Sequence, residues 1–223
     1  MNDMINIAID GPAGAGKSSA ARAAAKELGF IYIDTGALYR AVGVAVMKKG
    51  LDTADKKAVI SVLPDTDIKL KFVSGEQRVM LNGEDVSKEI RFPEASMAAS
   101  NVSAVPEVRA FLLDLQKNFA KENNCIMDGR DIGTVVLPDA QLKIFLSASP
   151  EVRADRRYKE LIEKGTPVEY GKLLEEIKQR DYNDSHRAIA PLKAAPDAVI
   201  IDSSDMNLKE VTEKIKELAE GVM

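Results

Sequence analysis

Five short apolar runs punctuate the chain: Ile5 to Ile9, Phe30 to Ile33, Cys125 to Met127, Leu142 to Leu146 and Ala198 to Ile201. None shows the regular apolar–polar alternation of a half-exposed strand, so the pattern predicts strands covered on both faces, as in a parallel sheet beneath helices. Helical patterns separate the runs, over Lys17 to Leu28, Ala37 to Lys49, Pro106 to Lys121, Pro150 to Lys164, Glu169 to about Tyr182, and Asn207 to Glu220. Gly29, Gly50 and Gly165 stand where helices stop, and Pro106 and Pro150 where helices start. Strand and helix in turn predict an α/β fold with a five-stranded parallel sheet in three layers.

One stretch breaks this rhythm. From about Asp65 to Arg91, Ile68, Leu70 and Phe72 alternate with Lys69 and Lys71, and "SGEQ" and "NGED" supply turns, which predicts an antiparallel hairpin. It implies a small mixed α/β lobe at about residues 63–103, inserted between the second and third core strands of a single domain over 1–223.

Composition narrows the class. With 45% hydrophobic and 30% charged residues, the chain has apolar mass for a core. A net charge of -4, without a block of like charges, argues against a nucleic-acid or membrane-surface role. The first apolar run is too short for a signal peptide or a membrane span. The single Cys125 excludes an internal disulfide, so the expected home is the reducing cytoplasm. No coiled-coil heptads appear, and a monomer is expected.

Chemistry enters with "IDGPAGAGKSSAA", residues 9–21, where Gly11, Gly16, Lys17 and Ser18 fit G-x-x-x-x-G-K-[ST] between a predicted strand and a predicted helix. Phosphate oxygens need converging backbone N–H groups, and residues without side chains let the backbone curl that closely. Lys17 is expected to reach the outer phosphates and Ser18 to ligate Mg²⁺. The same cradle serves GTP-dependent switches, but their N-K-x-D and D-x-x-G strings are absent.

Three further segments carry charge. "DTGALYR", residues 34–40, reads either as a capped helix with a surface arginine or as an anion site. "DGRDIGT", residues 128–134, follows the third core strand at its carboxyl end, where ligands of open α/β sheets bind. "QRDYNDSHR", residues 179–187, reads as a solvated polar face or as a source of Arg180, Asp184 and Arg187. Several arginines apart from the phosphate loop suit an acceptor that itself carries phosphate, because guanidinium forks pair with phosphate at two points.

With these residues in view, the chain resembles the bacterial cytidylate kinases, of the nucleoside monophosphate kinase family of P-loop proteins. The resemblance runs over nearly the whole length through "IDGPAGAGKSS", "DTGALYR", "AASNVSAVPEVR", "DGRDIGTVVLPDA", "KIFLSAS", "RADRR" and "RAIAPL". It implies transfer of the γ-phosphoryl group of ATP to CMP or dCMP, with Mg²⁺, in pyrimidine nucleotide metabolism. Small nucleotides are then the expected partners. By resemblance, Gly11, Pro12, Ala13, Gly14, Ala15, Gly16, Lys17, Ser18 and Ser19 hold the donor. Arg40, Arg130 and Arg187 look like the clamp on the acceptor phosphate, with Thr35 beside them in the motif. Ser100, Arg109 and Asp131 resemble the cytosine-reading set, and Asp184 with Arg180 the sugar contact. A lid at about 151–166 would bring Arg153 and Arg157, which share a helix face at i,i+4, over the donor phosphates. Asp128 would act on Mg²⁺ through a bound water. Lys17, Arg130, Arg153, Arg157 and Arg187 are thus the expected catalytic set.

Cytosine chemistry agrees independently, since its exocyclic amine wants a carboxylate and its ring N3 and O2 want donors. Kinases of UMP, AMP or a sugar acid remain rivals at this stage. His186 and Cys125 are read as structural residues.

Overall fold

The computed structural model describes residues 4–73 and 75–223. In chain order the strands and helices are β1 (Asn6–Asp10), α1 (Lys17–Leu28), β2 (Ile31–Asp34), α2 (Thr35–Lys48), α3 (Lys56–Val62), β3 (Ile68–Val73), β4 (Glu76–Leu81) and β5 (Glu84–Asp85). There follow α4 (Pro93–Ser103), α5 (Pro106–Glu122), β6 (Cys125–Gly129), a π-helical turn (Ile132–Val136), β7 (Leu142–Ser147), α6 (Pro150–Glu163), α7 (Tyr170–His186), β8 (Val199–Asp202) and α8 (Leu208–Glu220). The main sheet is parallel, in the order β2-β6-β1-β7-β8. The chain divides into two compact units, the described residues up to Tyr32 with Asn123–Met223, and Ile33–Glu122.

In the first unit β1 is central, and Ile7 and Ile9 are fully buried; each contributes about 2 kcal/mol through apolar burial. α1 meets the sheet through Ala20, Ala21, Ala24 and Ala25, small enough for close approach. Val211, Ile215 and Ala219 of α8 complete the same core. An Asn207–Glu210 capping box starts α8, satisfying first-turn amides from both sides.

The second unit holds the antiparallel sheet β3-β4-β5, with the alternation read from sequence: Ile68 buried, Lys69 exposed, Leu70 partly buried, Lys71 exposed. It is wider than the lobe expected at about 63–103 because α2 and α5 share its core. Leu38, Val42, Val46, Val108 and Leu112 form one buried cluster with Ile68, Val79 and Leu81. Ser74, part of the expected "SGEQ" turn, lies outside the described residues.

Other departures have local causes. β8 is the edge of the sheet, so Val199 and Ile200 are exposed where two-sided burial was expected. α2 starts two residues early because Asp34 accepts the Ala37 amide at 3.0 Å as N-cap. The seven-residue α3, the alanine- and serine-rich α4 and the π-helical turn had no strong apolar period. α7 runs on to His186 through a polar stretch whose face is largely solvated.

Candidate active site

The phosphate loop follows β1 at the carboxyl end of the sheet. Gly11 has φ +147°, and a Cβ there would lie 2.0 Å from the Leu146 carbonyl oxygen, so no other residue fits without moving β7. Gly16, at φ +88°, is the N-cap of α1 and supplies no side-chain acceptor. The first-turn amides therefore suit an anion, and the helix dipole adds to that preference.

Lys17 is buried and its Nζ donates to the Pro12 carbonyl at 2.8 Å, so the ammonium lies folded back along the loop. Burial, and next the positive charge of Arg130, push its pKa down to about 7. Ser18 Oγ donates to Asp128 Oδ2 at 2.6 Å, and Tyr32 Oη donates to the other oxygen at 3.1 Å. The hydroxyl of α1 and the carboxylate ending β6 are thus adjacent. Paired oxygen ligands with one carboxylate suit Mg²⁺, which takes few protein ligands and keeps phosphate and water oxygens. Among the described residues no cluster of three or more His, Cys, Asp or Glu could hold a metal.

The segment after β6 meets α7. Arg130 Nε donates to Asp184 Oδ2 at 2.9 Å, and Arg187 Nη2 lies 3.4 Å from Asp131 Oδ1. Arg187 Nε also donates to the Ala190 carbonyl at 2.5 Å, and the Leu192 amide to the Asp184 carbonyl at 2.8 Å, so "RAIAPL" folds back on α7. Asp128, Arg130, Asp131, Asp184 and Arg187 are brought together in one unit, near enough to the loop for Arg130 and Arg180 to act on Lys17.

The two arginines expected on a lid differ. Arg153 is buried and chelates Asp181 with both Nη atoms. It also donates to the carbonyls of Ala148 at 2.9 Å and Ala13 at 3.1 Å, and its stem packs on Gly14. It fastens the phosphate loop to α6 and α7. Arg157 is exposed and pairs with Glu160 at 2.8 Å. Arg156 instead donates to the Ser203 carbonyl at 2.6 Å, and Ser203 Oγ to the Ala15 carbonyl at 3.1 Å.

In the second unit, Thr35 is buried at the start of α2, and Arg40 one turn on pairs with Asp34 at 2.7 Å. Asp34 therefore caps the helix with one oxygen and holds the arginine with the other. Arg109 lies over the Tyr39 ring at 5.6 Å and donates to the Ser103 carbonyl at 3.3 Å. Ser103 Oγ in turn donates to the carbonyl of Ser100, so Arg109 is anchored to the end of α4 that carries Ser100. Tyr32 and Asp181 escaped the sequence reading and had no local signal, whereas Asp34, a cap candidate in "DTGALYR", is the cap.

His186 stacks on Tyr182 with ring centroids 4.0 Å apart, and its Nδ1 meets the Tyr182 carbonyl at 2.9 Å. Cys125 is buried at the start of β6, and burial pushes its thiol up to about 12.

A family model described as cytidylate kinase matches residues 7–221. The chain is 55% identical over 214 residues to a cytidylate kinase of Caldicellulosiruptor saccharolyticus, covering 96% of this chain and 95% of that protein. It is 52% identical over 217 residues to a cytidylate kinase of Caldanaerobacter subterraneus subsp. tengcongensis, covering 97% and 95%. A solved structure of an uncharacterized protein from Eubacterium ventriosum is similar with a TM-score of 0.52, at 12% identity over 97% of this chain and 99% of that one, a likeness of fold alone. The family model over residues 7–221 and the two relatives at 52–55% identity show that the chain belongs to the cytidylate kinase family.

Proposed function

We propose that the chain transfers the γ-phosphoryl group of ATP to the phosphate of CMP or dCMP, giving CDP or dCDP and ADP, with Mg²⁺. The observation that carries this reading is the glycine-built loop ending in Lys17 and Ser18, with Ser18 on Asp128 and two arginines, Arg130 and Arg187, following the same strand end.

Gly11 to Ser19 hold the donor phosphates through backbone amides, and Lys17 swings from Pro12 to the outer phosphates. Ser18, and Asp128 through water, would hold Mg²⁺, which supplies neutralisation of phosphate charge. Arg40, Arg130 and Arg187 take the acceptor phosphate, with Thr35 beside Arg40. A phosphate oxygen of the acceptor is already anionic at neutral pH, so it attacks the γ-phosphorus without a protein base. The bond from the γ-phosphorus to the bridging oxygen breaks and ADP leaves. Lys17, Arg130, Arg153, Arg157 and Arg187 stabilise the charge spread over the transferring group.

Asp131, with Ser100 and Arg109, reads the base, and Asp184 with Arg180 the sugar. A carboxylate accepts from the exocyclic amine of cytosine; uracil would set a carbonyl against it, and a buried acceptor without a donor costs about 1–3 kcal/mol. The lobe at about 63–103 is assigned to monophosphate binding and residues 151–166 to a lid that excludes water.

ADP formation with ATP and Mg²⁺ across CMP, dCMP, UMP, AMP and GMP, with a no-acceptor control, tests this reading. Turnover concentrated on the two cytidylates is the expected result. Activity mainly with another acceptor, or none above the control, would overturn it.

A further inference from the structure

Asp10 takes no part in the phosphate loop's hydrogen bonds. It ends β1, is buried at 3% exposure, and its carboxylate is aimed across to the neighbouring strand's connection. Oδ1 accepts the Ile132 amide at 2.7 Å and Oδ2 the Gly133 amide at 2.8 Å. These open the π-helical turn, and they are the donors that a helical turn leaves without an internal partner. Asp131, just before them, has φ -147° and ψ 27° and provides no side-chain cap. Its carbonyl accepts the Val135 and Val136 amides at 2.9 and 3.2 Å, while its carboxylate faces Arg187. The joint is close-packed: a Cβ on Gly133 would lie 3.3 Å from the Lys143 stem and 3.4 Å from Asp10 Oδ2. The peptide joining Asp131 to Ile132 is therefore oriented by a carboxylate borrowed from β1.

We propose that Asp10 is a positioning residue for base recognition. By clamping the two amides behind Asp131, it sets the angle at which that carboxylate meets the acceptor base. The inference rests on the reading of Asp131 as the base reader. Asp10 also immediately precedes Gly11, so one side chain joins the strand that launches the donor loop to the turn that carries the base reader. Burial raises the Asp10 carboxyl to about 6, and the two amide bonds oppose that rise by favouring the charged form.

The test measures kcat and KM for CMP and UMP at saturating ATP and Mg²⁺, and KM for ATP at saturating CMP, in the unaltered chain and in Asp10→Asn, Gly133→Ala and Asp131→Asn. Asparagine offers one oxygen and sets an amide donor against the second N–H, so one clamp bond is lost. Asp10→Asn is expected to lower the CMP-over-UMP ratio of kcat/KM about tenfold, chiefly through KM for CMP, with KM for ATP within about twofold. Gly133→Ala, which keeps the carboxylate but crowds it, is expected to move the ratio the same way by less, and carries the test should Asp10→Asn not fold. Asp131→Asn is expected to lower the ratio most. An unchanged ratio in the folded clamp variants, beside a collapsed ratio in Asp131→Asn, overturns the role of Asp10 and leaves the base reader standing. An unchanged ratio in Asp131→Asn removes the base-reading role and this inference with it.

Discussion

Two connections leave neighbouring parallel strands at the same end of the sheet, and they are held in different ways. The loop after β1 is shaped by positive-φ backbone, which favours glycine, at Gly11 and Gly16. The turn after β6 has ordinary residues and is held from outside, by Asp10 on its amides and by Asp184 and Arg187 on its side chains. The first carries its conformation in its own glycines, and Arg153 and Ser203 only hold its carbonyls from 140 and 188 residues away. The second depends on partners 54 to 123 residues away. In the proposed reading, the shape of the phosphate loop is thus written locally by glycine, whereas the turn assigned to base and acceptor recognition takes its shape from distant partners.

The sharpest break between the two comes from Lys17→Met. It removes the loop's cation and leaves the turn intact, so kcat should fall about 10³-fold, some 4 kcal/mol of transition-state stabilisation. Calorimetric affinity for CMP should change little. The melting temperature should hold or rise, since a buried ammonium with a depressed pKa is replaced by an apolar chain of similar length. Gly11→Ala attacks the loop through its backbone. A methyl group 2.0 Å from a carbonyl oxygen at positive φ should cost about 3 kcal/mol of stability, read by urea denaturation.

Asp181→Asn tests the tie between the loop and α7. It removes the charge from a two-point Arg153 clasp while Arg153 stays buried, so stability should drop by about 1–2 kcal/mol. Retained stability would mean that the carbonyls of Ala13 and Ala148 suffice to hold the arginine. The smallest effect belongs to β6 itself. With its thiol raised to about 12, Cys125 stays un-ionised in the folded chain at pH 8, below both folded and ordinary values. Iodoacetamide should modify it only as the chain unfolds, and rapid native labelling would show that the strand opens.

Sequence reading succeeded where the cause is local. The boundaries of α1 were legible because Gly16 and Gly29 bracket an alanine-rich helix, and the phosphate loop because its glycines carry the conformation. It missed β1's last residue, since Asp10 breaks an apolar run and is accommodated only by amides 122 and 123 positions on. The segment "DGRDIGT" was placed at a strand end by pattern, but the pairing of Arg130 with Asp184 needs the packing of α7 against the turn. Tyr32 is similar: nothing around "YID" marks a hydroxyl that holds Asp128. Arg153 was legible as a basic position on a helix, but its burial against Asp181 was not, because i,i+4 spacing says nothing of a partner on α7.

In the proposed reaction, phosphate moves from ATP to a cytidylate and not to water. Phosphorus-31 NMR of the chain with ATP, Mg²⁺ and CMP follows both fates in one sample. Growth of the two CDP resonances in step with ADP, with orthophosphate at background, is the expected result. Orthophosphate accumulating in step with ADP while CMP persists would contradict it.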